Sequence, residues 1–225
     1  MTEPSSCSSA RRDMRAGVRE VKPVRIDWLT RTAKVSPMSP LVLAAEKLGI
    51  RWLMLFDGEY VYGSSPGLIE AADALIRAMR PRSLIDLFGG SGAVSKLAAM
   101  NGVKRIIYVD LYPEAAYRNL RSMRGIEIVR EDAFKFLGRG VECDLLIADP
   151  PEELADKTAR HLMRNRRAFR KAALIWIGSD CPRRKISSLA RMRMTEIIEV
   201  WGDFFLILWN RGLRDLIERV KRMLE

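Results

Sequence analysis

Histidine is almost missing from this chain: His161 is the only one in 225 residues. Cysteine is scarce as well, and Cys7, Cys143 and Cys181 lie far apart. One histidine and no closely spaced cysteines exclude an ordinary structural zinc set, so no metal is expected. Cys143 falls in an apolar run and reads as a small buried hydrophobe. No apolar stretch approaches the roughly 20 residues that a membrane-spanning helix needs. The opening MTEPSSCSSARR lacks the apolar core of a secretory signal, so a cytoplasmic location is expected. There are no internal repeats. Acidic residues are outnumbered, 28 against 39 basic, for a net charge of +11. Most of those cations are arginines, which suit bidentate contacts to phosphate. The surplus favours a polyanionic partner. Genome composition or a high growth temperature would produce the same bias.

What is present is a globular composition, 48% hydrophobic and 30% charged, long enough for one well-cored domain with small additions. Residues 1–25 are polar, serine-rich and basic and are expected to form a disordered arm carrying Arg11, Arg12, Arg15, Arg19, Lys22 and Arg25. Residues 26–80 read as an N-terminal extension. Within it, residues 35–40 form a linker with two prolines, and residues 41–48 a short helix stopped by Gly49. IRWLMLF and EYVYG then flank Asp57-Gly58, a hairpin signal. Ser64 or Ser65 caps a helix with Pro66 in its first turn, running to Met79. From residue 81 to the end, strands near 83–88, 104–110, 126–129, 143–148 and 172–178 alternate with helices near 92–101, 113–123, 132–138, 153–170 and 183–190. That alternation predicts an α/β fold: a mostly parallel sheet with helices on both faces. The tail MRMTEIIEVWGDFFLILWN breaks the pattern. Two β-rich runs meet at Gly202-Asp203 and should form an antiparallel pair at the sheet edge, followed by a basic amphipathic helix over residues 213–224.

The organising stretch is SLIDLFGGSGAVS at residues 83–95: apolar strand, glycine turn, then a helical pattern. Glycines there let the chain turn tightly and let a ligand approach the backbone. VKRIIYVD follows and ends in Asp110, about twenty residues after the glycines, where an acid can bind ribose hydroxyls. LLIADPP ends in Asp149-Pro150-Pro151. The ordered series DLFGGSG, VDLYPEA, EDAFKFL and ADPPE resembles the motifs of class I S-adenosylmethionine-dependent methyltransferases. Within them it is similar to the bacterial ribosomal guanine-N2 enzymes and to amino-methylating DNA and RNA enzymes generally. The likeness covers residues 83–152. It implies a Rossmann-like seven-stranded methyltransferase sheet with the antiparallel ending, and S-adenosyl-L-methionine as cofactor. The hairpin before the core also resembles, over a shorter stretch, the LF-DGE entry of the spermidine synthase group.

The resemblance assigns roles by position. Phe88, Gly89, Gly90 and Gly92 would pass under the methionine part of the cofactor. Asp86 would hold its amino group directly or through water, or else serve only to cap the turn. Asp110 would accept both ribose hydroxyls, with Leu111 packed on the adenine. Asp132 would accept the adenine amino group beside Ala133, or merely cap the helix that starts there. Asp149, Pro150 and Pro151 would form the catalytic turn, an Asp oxygen and a prolyl carbonyl accepting hydrogen bonds from a target NH₂. A plain strand-ending Asp-Pro turn is the alternative.

One position departs from the family pattern. An aromatic ring usually follows the two prolines and stacks on the target base; here Glu152 follows. Stacking must then come from elsewhere, or the target is not a base, and Glu152 either pairs with an amine or starts a helix. Beyond it, Lys157, Arg160, Arg164, Arg167 and Lys171 recur in steps of three and four, which predicts five cations on one helix face. That face could track RNA phosphates beside the site, or could simply be solvated. The function expected first is methylation of an exocyclic amino nitrogen of an RNA base. Methyl or aminopropyl transfer to an amine metabolite, polyamine or protein is the alternative, and a non-catalytic nucleic-acid-binding module is the third class.

Overall fold

The computed structural model describes residues 23–27, 29–35, 48–56, 59–61, 64–179 and 193–225. The expected arm up to residue 22, the helix at 41–48, the Asp57-Gly58 turn and the helix at 183–190 fall wholly or almost wholly outside them.

Two sheets organise the described chain. The first is antiparallel and follows chain order: β1 (Pro23–Asp27), β2 (Thr32–Val35), β3 (Trp52–Phe56) and β4 (Glu59–Val61). The antiparallel pairing of β3 and β4 was legible in sequence, with Phe56 opposite Glu59. Strands β1 and β2 differ from the reading of residues 1–25 as a disordered arm, since β1 begins at Pro23. Asp27 explains why this segment orders: it accepts from the backbone of Leu29 and Thr30 and pairs with Arg118. Period-2 alternation is too short in PVRID to register.

Helix α1 (Pro66–Met79) leads into the second sheet. Its start is fixed by the Ser65 hydroxyl, which accepts from the Leu68 N–H at 3.1 Å. Then come β5 (Ser83–Leu87), α2 (Ala93–Met100), β6 (Arg105–Asp110), α3 (Glu114–Leu120), β7 (Ile126–Arg130), α4 (Ala133–Leu137), β8 (Cys143–Ala148), α5 (Glu152–Arg164), β9 (Phe169–Gly178), β10 (Thr195–Val200), β11 (Asp203–Trp209) and α6 (Arg214–Leu224). The sheet order is β10-β11-β9-β8-β5-β6-β7. The five strands from β9 to β7 pair in parallel, whereas β11 lies antiparallel against both β9 and β10. The expected antiparallel ending is therefore present.

Alternate residues of the central strands feed two cores. Leu84, Ile106, Leu145 and Leu174 pack with α1, α2 and α6 on one face. Ile85, Ile107, Leu146 and Ile175 pack with α4 and α5 on the other. Cys143 is buried, its thiol pointing at the Ala168 carbonyl at 3.4 Å, and burial pushes the thiol pKa up to about 12. Among the described residues no helix is long and apolar enough to cross a membrane, and no cluster of histidine, cysteine or carboxylate side chains could hold a metal ion.

The helix expected over 153–170 is shorter. It ends at Arg164, a 3-10 turn covers Arg166–Ala168, and β9 begins at Phe169. Phe169 is buried and sits opposite Cys143, so sheet pairing overrides the helical spacing of the cations. The five cations thus do not share one helix face. Lys157, Arg160 and Arg164 lie exposed along α5, Arg167 is on the turn, and Lys171 is on β9 with its ammonium donating to the Met79 carbonyl at 2.7 Å.

Candidate active site

The strands of the parallel sheet end at a cavity of about 680 Å³, where an open sheet of this kind binds ligands. The loop after β5 forms its floor. Phe88 takes a left-handed backbone, φ 57°, and presents its ring edge-on to Phe134, centroids 6.2 Å apart. Gly89 is required for space: a Cβ there would lie 2.4 Å from the Tyr108 ring. Gly92 is required for conformation, φ 83°, and a Cβ would also meet Leu120 at 2.8 Å. Phe88 and Gly90 line the cavity, whereas Gly89 and Gly92 are turned toward packed side chains behind it. Tyr108, fully buried on β6, donates from its hydroxyl to the Gly90 carbonyl at 2.6 Å.

Asp110 ends β6 and holds the same loop from the other side. One oxygen accepts from the Gly90 N–H at 2.9 Å, the other from the Tyr112 N–H at 2.8 Å. Burial raises its pKa, opposed by these backbone bonds. A carboxylate has capacity beyond these bonds, and Asp110 lines the cavity, so it suits two neighbouring hydroxyl donors. Leu111 lines the cavity and is 49% exposed, an open apolar surface of the kind a flat ring could cover. Asp132 caps α4, one oxygen accepting from Phe134 and Lys135 N–H groups, so the capping role is present. Its position in the cavity wall beside Ala133 leaves the second oxygen for a ligand.

Asp86 lies behind the glycine loop, where the capping alternative is present. It is 1% exposed and absent from the cavity wall; its Oδ2 accepts from the Ser95 hydroxyl at 2.6 Å and the Ser95 N–H at 3.0 Å. Burial outweighs those bonds and pushes its pKa up to about 7. Its direct partner is the first turn of α2.

Asp149, Pro150, Pro151 and Glu152 line the other end of the cavity. The Asp149 N–H donates to the Leu87 carbonyl at 3.2 Å, which sets the turn against the start of the glycine loop. The Asp149 carboxylate accepts no hydrogen bond from the described residues. Enclosure raises its pKa well above the ordinary range, with Asp86 and then Asp203 adding repulsion.

Glu131, Trp176 and Asp203 also line the cavity, outside the motif residues. Glu131 accepts from Arg139 at 2.8 Å through Oε1, while its buried Oε2 has no partner. Trp176, at the end of β9, and Asp203, at the start of β11, are joined by an indole N–H···Oδ1 bond of 3.1 Å. Glu131 stands beside Asp132 in EDAF, the only signal that could have found it. Trp176 and Asp203 carry none, because they meet only through the antiparallel pairing.

The family model described as conserved hypothetical protein 95 matches residues 70–199. Curated relatives include ribosomal RNA large subunit methyltransferase I of Cronobacter sakazakii (strain ATCC BAA-894), 26% identical over 132 residues, 54% of this chain and 33% of the relative. The enzyme of the same description from Enterobacter sp. (strain 638) is 23% identical over 141 residues, 58% of this chain and 36% of the relative. The chain therefore spans about a third of the length of these relatives. Among solved structures, a methyltransferase from Geobacter sulfurreducens superposes with a TM-score of 0.55 at 20% identity, covering 78% of this chain and 92% of its own. A SAM-dependent methyltransferase from Agrobacterium tumefaciens gives a TM-score of 0.52 at 20% identity, covering 69% and 66%. The match across more than half of the chain, together with the sheet order, places the protein in the conserved hypothetical protein 95 family, with the fold of the class I S-adenosylmethionine-dependent methyltransferases.

Proposed function

We propose that the protein is an S-adenosylmethionine-dependent methyltransferase acting on an exocyclic amino nitrogen of an RNA base. The observation that carries this is the unpartnered Asp149 carboxylate of the Asp-Pro-Pro turn, facing the same cavity as Asp110. The residues present fit the cofactor. Asp110 would hold the ribose hydroxyls, Asp132 or the orphaned Glu131 Oε2 the adenine amino group, and Gly90 the methionine end. When bound, the cofactor supplies an electrophilic methyl group on a positively charged sulfur.

Asp149 and the Pro150 carbonyl accept hydrogen bonds from the two N–H groups of the target NH₂ and aim its lone pair at that methyl. Such alignment lowers the barrier without a protein nucleophile. With the cofactor held there, the methyl would pass to the nitrogen and the bonding pair would remain with the cofactor's sulfur. The nitrogen would then shed one proton, which Asp149, in the cavity wall, would take. The two related ribosomal RNA methyltransferases and the +11 charge support RNA as the substrate class. Lys157, Arg160 and Arg164 offer phosphate contacts on α5; Arg160 also pairs with Asp156.

Asp149, Glu152 and Asp203 at the transfer end favour a second reading, a cationic amine such as a polyamine. Labelled methyl transfer from S-adenosylmethionine into RNA, protein and small-molecule fractions separates the two. Label in RNA supports the first reading; label confined to the small-molecule fraction supports the second.

A further inference from the structure

We propose that Trp201 is a stacking platform for a nucleobase of the RNA substrate lying beside the one that is methylated; this rests on the reading of the protein as an RNA methyltransferase. The register of β10 and β11 sets Val200 opposite Asp203 and leaves Trp201-Gly202 as a two-residue turn. Both residues have positive φ, 56° and 79°. Turns with that geometry favour Asn-Gly or Asp-Gly, and a bulky aromatic at the first position is an outlier. The turn gains nothing from the indole, and the core gains little, because Trp201 is 77% exposed.

The ring is nevertheless held. Its Nε1–H donates to the Glu70 carboxylate on α1, which fixes one edge of the indole, and among the described residues no ring or cation stacks on its faces. Its position matters as much. Glu70 lies one helical turn beyond Pro66, which lines the cavity, and Asp203 of the same hairpin lines it too. Trp201 therefore stands at the rim of the transfer end. Next to the Asp-Pro-Pro turn stands Glu152, whose side chain offers no ring for a base to stack on. Single-stranded RNA is commonly read by splaying bases onto exposed aromatic faces. A base flanking the target, laid on Trp201, would steady the strand while its neighbour enters the cavity.

The test uses the full chain with Trp201→Asn and Trp201→Phe, unfractionated ribosomal RNA as methyl acceptor and S-adenosylhomocysteine as cofactor probe. Asparagine suits the turn, so the variant should melt no lower than wild type. The RNA concentration for half-maximal rate should rise about tenfold, the worth of one stacked base. The saturating rate and S-adenosylhomocysteine affinity should stay unchanged, and Trp201→Phe should recover most of the loss. A Trp201→Asn protein with the wild-type RNA requirement would overturn the proposal and leave the methyltransferase reading standing. So would one that melts lower and loses cofactor affinity in parallel, since the ring would then be structural. Wild-type protein that puts no methyl into RNA would overturn both.

Discussion

Asp86 on β5 and Asp149, just past the end of the neighbouring β8, lie at the head of the sheet, and burial raises both above the ordinary carboxylate range. A carboxylate with a raised folded pKa is harder to ionise in the native state than in the unfolded chain. The unfolded state therefore loses its proton first as pH rises, and stability falls from about pH 4, complete once the folded group ionises. For Asp86 that upper limit is about 7. Urea unfolding of wild type and Asp86→Asn at pH 5 and pH 8 should show the variant gaining relative stability at the higher pH, on the order of a few kcal/mol. A gap unchanged with pH would mean that Asp86 is ionised throughout. Asp110 carries a different load. Asp110→Ala should weaken S-adenosylhomocysteine binding by roughly 1.5–3 kcal/mol for each charged hydrogen bond lost. It also strands the Gly90 and Tyr112 N–H groups. Calorimetry with unchanged affinity would remove Asp110 from the site.

At the scale of elements, the glycine loop is held by what lies behind it. Tyr108 fills the space under Gly89 and ties down the Gly90 carbonyl, so Tyr108→Phe should cost about 1 kcal/mol of stability and loosen cofactor binding a few-fold. Gly89→Ala forces a Cβ into that ring and should be far worse in both readouts; thermal melts with and without S-adenosylhomocysteine would rank them. The loop, β5, β6, β8 and the antiparallel ending were legible because buried parallel strands read as apolar runs bounded by glycine or Asp-Pro. The cation stripe was not. Its spacing fits a helix through Lys171, yet Phe169 is needed opposite Cys143, and a pairing between strands leaves no mark in local periodicity. Trp176 and Asp203 escaped for the same reason: topology, rather than sequence distance, joins them. The position of Asp86 before the glycines suits either a cofactor contact or a cap, and its Oδ2 accepts from Ser95, a contact between strand and helix that local spacing does not reveal.

At the scale of the whole molecule, the small sheet and the large one meet on α3. Asn119 is the joint: its carbonyl accepts from Arg51 and Trp52 N–H, and its amide donates to the Trp52 and Ser91 carbonyls. Arg118 beside it pairs with Asp27 and stacks on Trp52 at 4.0 Å. Since Ser91 belongs to the glycine loop, the N-terminal sheet buttresses that loop. Asn119→Ala would leave several buried groups unpaired at about 1–3 kcal/mol each, lowering the melting temperature and cofactor affinity together. An unchanged melting temperature would show that the two sheets are held by other contacts. The central claim is that the molecule separates cofactor holding from substrate orientation across one cavity, and Asp149 tests it most directly. In Asp149→Ala, methyl transfer to RNA should be abolished while calorimetry gives a wild-type affinity for S-adenosylhomocysteine; a variant that still transfers methyl groups would contradict the account.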